Sequence, residues 1–160
     1  MKSSGRGAWL RRGIAASSVL LVPAAVAIAV KPSEGRWTGS TSRPARVTFR
    51  VLSDRSAMRH LHVGKNKTGV RLHCSKTQGD YIDAEFVARK GIADAIPVDS
   101  DGHFAARYQT SGNLSKGRMK VRGRVKSKHR AAGTLNWKVT ERSDGRTCKS
   151  GNVHFTAKSP

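Results

Sequence analysis

The 160-residue chain predicts an all-β fold: an antiparallel β-sandwich, or a barrel, of about nine or ten short strands with one disulfide. Three observations predict it. Apolar and polar residues alternate in short segments, the period that turns one side of a strand to a core and the other to water. Clusters of Gly, Ser, Asp and Asn separate these segments at the spacing of sheet turns. No segment carries a sustained 3.6-residue period.

The first 29 residues stand apart. Lys2, Arg6, Arg11 and Arg12 precede the apolar run Ile14–Val22, Pro23 interrupts it, and Ala25, Ala27 and Ala29 offer small-residue cleavage sites. This predicts a signal peptide over residues 1–29, cut after Ala27 or Ala29, and a secreted or envelope-associated bacterial protein. An uncleaved N-terminal membrane anchor is the competing reading. It is disfavoured because Ile14–Val30 is only 17 residues long and is broken by proline. The remainder divides into a short linker, 30–35, and a single β-domain, 36–160, a length that buries one core.

Charge and cysteine content narrow the functions. The chain carries 31 Lys and Arg against 10 Asp and Glu, a net charge of +21. Residues 1–29 hold four of the basic residues and no acidic one, so the rest retains 27 basic against 10 acidic residues, a net +17. Such a surface attracts anionic polymers: cell-wall polymer, DNA or acidic polysaccharide. The two cysteines, Cys74 and Cys148, lie on predicted strands. In an oxidising compartment an even pair predicts a disulfide, and a bridge closing roughly 75 residues contributes about 4 kcal/mol on the chain-entropy account. No C-x-x-C spacing points to metal.

The strands follow in order. Arg36–Thr41 opens the domain. Ala45–Leu52 turns Val47, Phe49 and Val51 inward. Met58–Val63 places Leu61 and Val63 on one face and His60 and His62 on the other. The turn Gly64–Gly69 leads to Val70–Lys76, with Val70, Leu72 and Cys74 on one face. Tyr81–Ala88 alternates Ile82, Ala84, Phe86 and Ala88 against Asp83 and Glu85. Ala88–Ala95 is the one place that admits a helical turn. Ile96–Val98, the turn Asp99–Gly102 and the strand His103–Thr110 come next, with Phe104, Ala106 and Tyr108 inward. A basic hairpin and a strand around Asn152–Lys158 end the chain.

The hairpin is the most informative stretch. From Lys116 to Arg130 every even position is basic: Lys116, Arg118, Lys120, Arg122, Arg124, Lys126, Lys128 and Arg130. In an extended strand all eight cations point to one side, about 6.8 Å apart, with Met119, Val121 and Val125 facing a core. The chain turns near Ser127–Arg130 into Ala131–Thr140, where Leu135, Trp137 and Val139 face inward.

Three motifs carry a resemblance. Gly35-Arg36-Trp37-Thr38-Gly39-Ser40-Thr41, Ala131-Ala132-Gly133-Thr134-Leu135 and Cys148-x-Ser150-Gly151-x-Val153-x-Phe155-x-Ala157 resemble the opening, hairpin and closing strand of small secreted actinobacterial β-domains of uncharacterised function. The resemblance implies an immunoglobulin-like or related β-sandwich with one disulfide and no established catalytic activity. The long cationic face departs from that family's weaker basic bias.

Other constellations read as structural. His60 and His62, with His73 on a neighbouring strand, would suit zinc, but no carboxylate has a place beside them and arginines surround them. Asp99-Ser100-Asp101-Gly102 lacks the glycine and glutamate positions of a calcium loop and reads as a hairpin turn. Asp83 and Glu85, adjacent on one strand face, suit cross-strand pairing with basic residues better than a glycosidase pair facing across a cleft. Trp37 and Tyr81 are the aromatic candidates for a sugar platform. No catalytic residues, metal or cofactor are assigned. The expectation is therefore a non-enzymatic binding protein that adsorbs electrostatically to an extracellular polyanion. The alternative is a structural or protein-interaction β-domain, with a protein partner, whose cations serve only solubility.

Overall fold

The structure, a computed structural model, describes residues 30–64, 69–75, 81–88, 95–111 and 115–160. Residues 1–29, expected as a signal peptide, the 65–68 part of the Gly64–Gly69 turn and the 89–94 part of the expected helical turn lie outside these residues. Eleven strands are formed: β1 Gly35–Thr41, β2 Arg46–Val51, β3 Ala57–Val63, β4 Val70–Cys74, β5 Tyr81–Ala84, β6 Phe86–Val87, β7 Ile96–Pro97, β8 His103–Ser111, β9 Ser115–Ser127, β10 Arg130–Glu141 and β11 Thr147–Lys158. Tyr81–Ala88, expected as one strand, is two, because the chain leaves β4 at Ala84 and joins β3 at Phe86.

The pairing is antiparallel throughout and runs β6-β3-β2-β1-β11-β10-β9-β8. In place of two separate facing sheets, one sheet curls into a half-barrel. The reason lies in β11. Its edge away from β10 is shared, with Cys148 and Lys149 paired to β4 and Phe155–Lys158 paired to β1, so no break divides the strands into layers. Ile96 and Pro97 pair with β3 while Val98 bridges Phe104 of β8, so one short segment links the two margins of the sheet.

Period-2 alternation fills the interior. Trp37 is fully buried and stacks on Phe49 at 5.6 Å. Phe86 reaches across to Tyr108 at 4.9 Å and to Trp137 at 5.8 Å, so the margins are held by side chains where backbone pairing is sparse. One row crosses four strands: Phe104, Gly123, Gly133 and Phe155 are successive register partners. The two rings lie over the glycines; a Cβ at Gly123 would sit 2.4 Å from Phe104 Cζ, and one at Gly133 would sit 2.7 Å from Phe155 Cζ.

Two bulges reset the alternation. On β3, Thr48 pairs His62 but Arg50 pairs Arg59, so one extra residue is accommodated, with His60 at φ 55°. Met58, Leu61 and Val63 then all face the core. On β11, Asn136 pairs Asn152 but Lys138 pairs Lys149. Gly151 takes φ 64°, and the buried Ser150 hydroxyl accepts the Trp137 N–H at 2.9 Å. Beside this bulge Cys74 and Cys148 are direct cross-strand partners, 3.9 Å apart at Cα, and form the expected disulfide.

Candidate cationic binding face

The even positions of β9 turn outward because Met119, Val121 and Val125 are buried beneath them. Lys116, Arg118, Lys120, Arg122 and Lys126 are exposed and Arg124 is half-buried. Regular alternation stops there. Arg130 pairs Ser127 whereas Ala131 pairs Val125, so a bulge absorbs one residue at Lys126. Lys128 occupies the two-residue turn and Arg130 starts β10; both are exposed.

Register adds cations that the sequence reading did not group with this row. Arg107 on β8 lies opposite Lys120. Arg118, Lys138 and Lys149 are successive partners across β9, β10 and β11, and His73 of β4 continues the row. Arg130 faces Lys158. Outward parity at Phe104–Tyr108 and Leu135–Val139 could have flagged Arg107 and Lys138, but only register places them beside β9. No Asp or Glu occurs between Asp101 and Glu141, or after Asp144. At the two ends of the face, Asp99 pairs with His103 at 3.6 Å and Glu141 with Arg146 at 2.8 Å.

Two guanidiniums are steered by neighbours. Arg122 Nε donates to Thr134 Oγ1 at 3.3 Å, towards β10, and Arg124 Nε donates to the Asp101 carbonyl at 3.2 Å, towards the turn before β8. Between and around them lie two contiguous shallow troughs. One, of about 710 Å³, has Ala105, Ala132, Thr134 and Thr156 as its small-residue lining under Arg122, Arg124 and Lys126. The other, of about 580 Å³, is bordered by Arg107, Lys120, Asn136 and Asn152. The hairpin tip is fixed from below. Ser33 N–H donates to the Lys128 carbonyl at 2.8 Å, and Ser159 joins Ser33 and His129 through its hydroxyl. Residues 30–35, read as a linker, thus lie against the tip, with Pro32 buried.

The other sequence candidates are scattered. Asp83 pairs with Arg71 at 3.7 Å across β4 and β5, the charge pairing expected of it. Glu85, between β5 and β6, instead contacts His62, so a carboxylate does stand beside one of these histidines, contrary to expectation. His73 is on β4, which pairs β11 and β5 and not β3. Among the described residues no group of three His, Cys, Asp or Glu could hold a metal ion. Asp99 Oδ1 accepts the backbone N–H groups of Asp101 and His103, and Gly102 takes φ 78°, so 99–102 is a turn, as expected. Trp37 is core and offers no sugar platform.

The face therefore presents a row of cations, two of them with their guanidiniums steered by neighbours, over shallow troughs. No known protein family, curated protein or solved structure matches the chain.

Proposed function

We propose that this chain is a secreted, non-enzymatic protein that binds an extracellular polyanion through the outward face of β8–β11. The observation that carries the reading is the stacking of like charges across strands: Arg107 on Lys120, Arg118 on Lys138 on Lys149, and Arg130 on Lys158. Directly opposed like charges destabilise a sheet, each pair by roughly 0.2–1 kcal/mol. Solubility alone is served by interspersed signs, so cations gathered with carboxylates only at the margins, Asp99 and Glu141, favour a ligand that neutralises them. The likeness to small secreted β-domains belongs to the same proposal. Its motif residues fall at a core tryptophan, a close strand contact at Gly39 and the Ser150–Gly151 bulge, which are scaffold positions.

Thermal unfolding tests the reading. The purified protein, expressed with its own leader, should melt higher when polyglycerol phosphate is added; at a hundredfold excess over Kd the gain is about 2.7 kcal/mol. The variant Arg118→Ser/Lys138→Ser/Lys149→Ser should melt higher than the wild type without ligand and gain less with it. A wild-type melting temperature indifferent to every polyanion would refute the proposal.

A further inference from the structure

We propose that the ligand of this face is a hydroxylated anionic chain, with free hydroxyls and an anionic group in each repeating unit, and not a nucleic acid. The inference rests on the polyanion reading above and names its ligand class. It comes from what the face does not charge. Between its cationic ends the outward positions of β10 and β11 are Ala132, Thr134, Asn136, Asn152, His154 and Thr156, in adjacent register, all but the alanine polar. Cations border this neutral patch on three sides. The β9 row flanks it, Lys138 and Lys149 close one end, and Arg130 and Lys158 close the other. On the fourth side the hydroxyls continue: Ser40 is the register partner of Thr156, and Ser42 Oγ accepts the His154 N–H at 3.1 Å.

A surface selected for charge alone would carry Lys or Arg at some of these outward positions. Apart from Ala132 they hold hydroxyl, amide and imidazole groups, which both donate and accept hydrogen bonds, and Asn136, Asn152, His154 and Thr156 are exposed. Asn136 Nδ2 donates to Asn152 Oδ1 at 3.4 Å, and both residues line the trough. The cationic border matches anionic groups, and the neutral patch matches the hydroxyls between them. Nucleobases find no counterpart. Single-strand recognition uses exposed aromatic platforms, and among the residues of β8–β11 whose side chains are described no large hydrophobic one is exposed.

Binding at matched anionic charge and ionic strength tests this, with polyglycerol phosphate, polyglucuronate, inorganic polyphosphate and duplex DNA as probes. At least one of the two hydroxylated chains should bind about tenfold tighter than polyphosphate or DNA, the effect of one or two net hydrogen bonds. Which of the two prevails assigns phosphate or carboxylate as the anionic group. The preference should vanish in Asn136→Ala/Asn152→Ala, with polyphosphate affinity unchanged. Thr156→Val, which keeps the shape and removes an exposed hydroxyl outside the Arg122 contact, should reduce it without altering either amide. Equal binding of all four polymers, or tighter binding of DNA, would overturn this inference and leave the polyanion reading intact. Binding of none would overturn both.

Discussion

Gly39 and Ser150 are small residues on which strand pairing depends. A Cβ on Gly39 would sit 1.8 Å from the Thr156 carbonyl oxygen and 2.7 Å from Ala157 Cα. Those atoms are backbone, so Gly39→Ala must part β1 from β11. The expected loss is at or above the about 1–3 kcal/mol typical of overpacking, measured as a lower urea midpoint. Ser150→Ala leaves the Trp137 N–H buried without its acceptor; the expected cost is about 1–3 kcal/mol. Thr156→Ala, at an exposed position, should change stability by less than about 0.5 kcal/mol. If Ser150→Ala proves as mild as Thr156→Ala, the hydroxyl does not hold the bulge. Both residues stood out in sequence as parts of motifs. What they do was not legible there, because each depends on register with a partner strand: Gly39 meets the Thr156 backbone more than a hundred residues away, and Ser150 caps Trp137 thirteen residues away.

Strands were legible wherever the alternation was unbroken, as in β2, β8, β9 and β10. The last strand was read from Asn152 but begins at Thr147, because the Ser150–Gly151 bulge reverses parity and hides its first half. The same effect at His60 concealed that Met58 is core. Register was not legible at all, and with it went the curl of the sheet and the positions of Arg107, Lys138 and Lys149. Strand β4 makes the clearest prediction at this scale. It joins the main path at Cys148 and Lys149, with the disulfide at one of those two pairs and Arg43 reaching from the Ser150 carbonyl to the Arg71 carbonyl. Reduction should cost about 4 kcal/mol on the chain-entropy account. It should also release the backbone amides of Val70–Cys74 to hydrogen exchange before those of β9 and β10. Simultaneous loss of protection in all three strands would show that β4 is part of the main cooperative unit and not a flap pinned by the disulfide.

At the scale of the whole molecule, the half-barrel gathers charge that the linear sequence distributes over four strands. The β9 row was evident from residues 116–126 alone, whereas its meaning depends on what register sets beside it: more cations at the ends and a neutral patch between. Such a molecule is strained by its own field. Screening should relieve it, since the Debye length falls from about 10 Å at 0.1 M salt to about 3 Å at 1 M. The ligand-free protein should therefore melt higher as sodium chloride is raised, and the Arg118→Ser/Lys138→Ser/Lys149→Ser variant should respond less. The most direct test of the central claim is the salt dependence of polyglycerol phosphate binding, wild type against Lys120→Ser/Arg122→Ser/Arg124→Ser/Lys126→Ser. The account predicts a steep fall of log K with log salt for the wild type, and a slope shallower by about three units in the variant as counterion release is lost. The same slope in both proteins would contradict it.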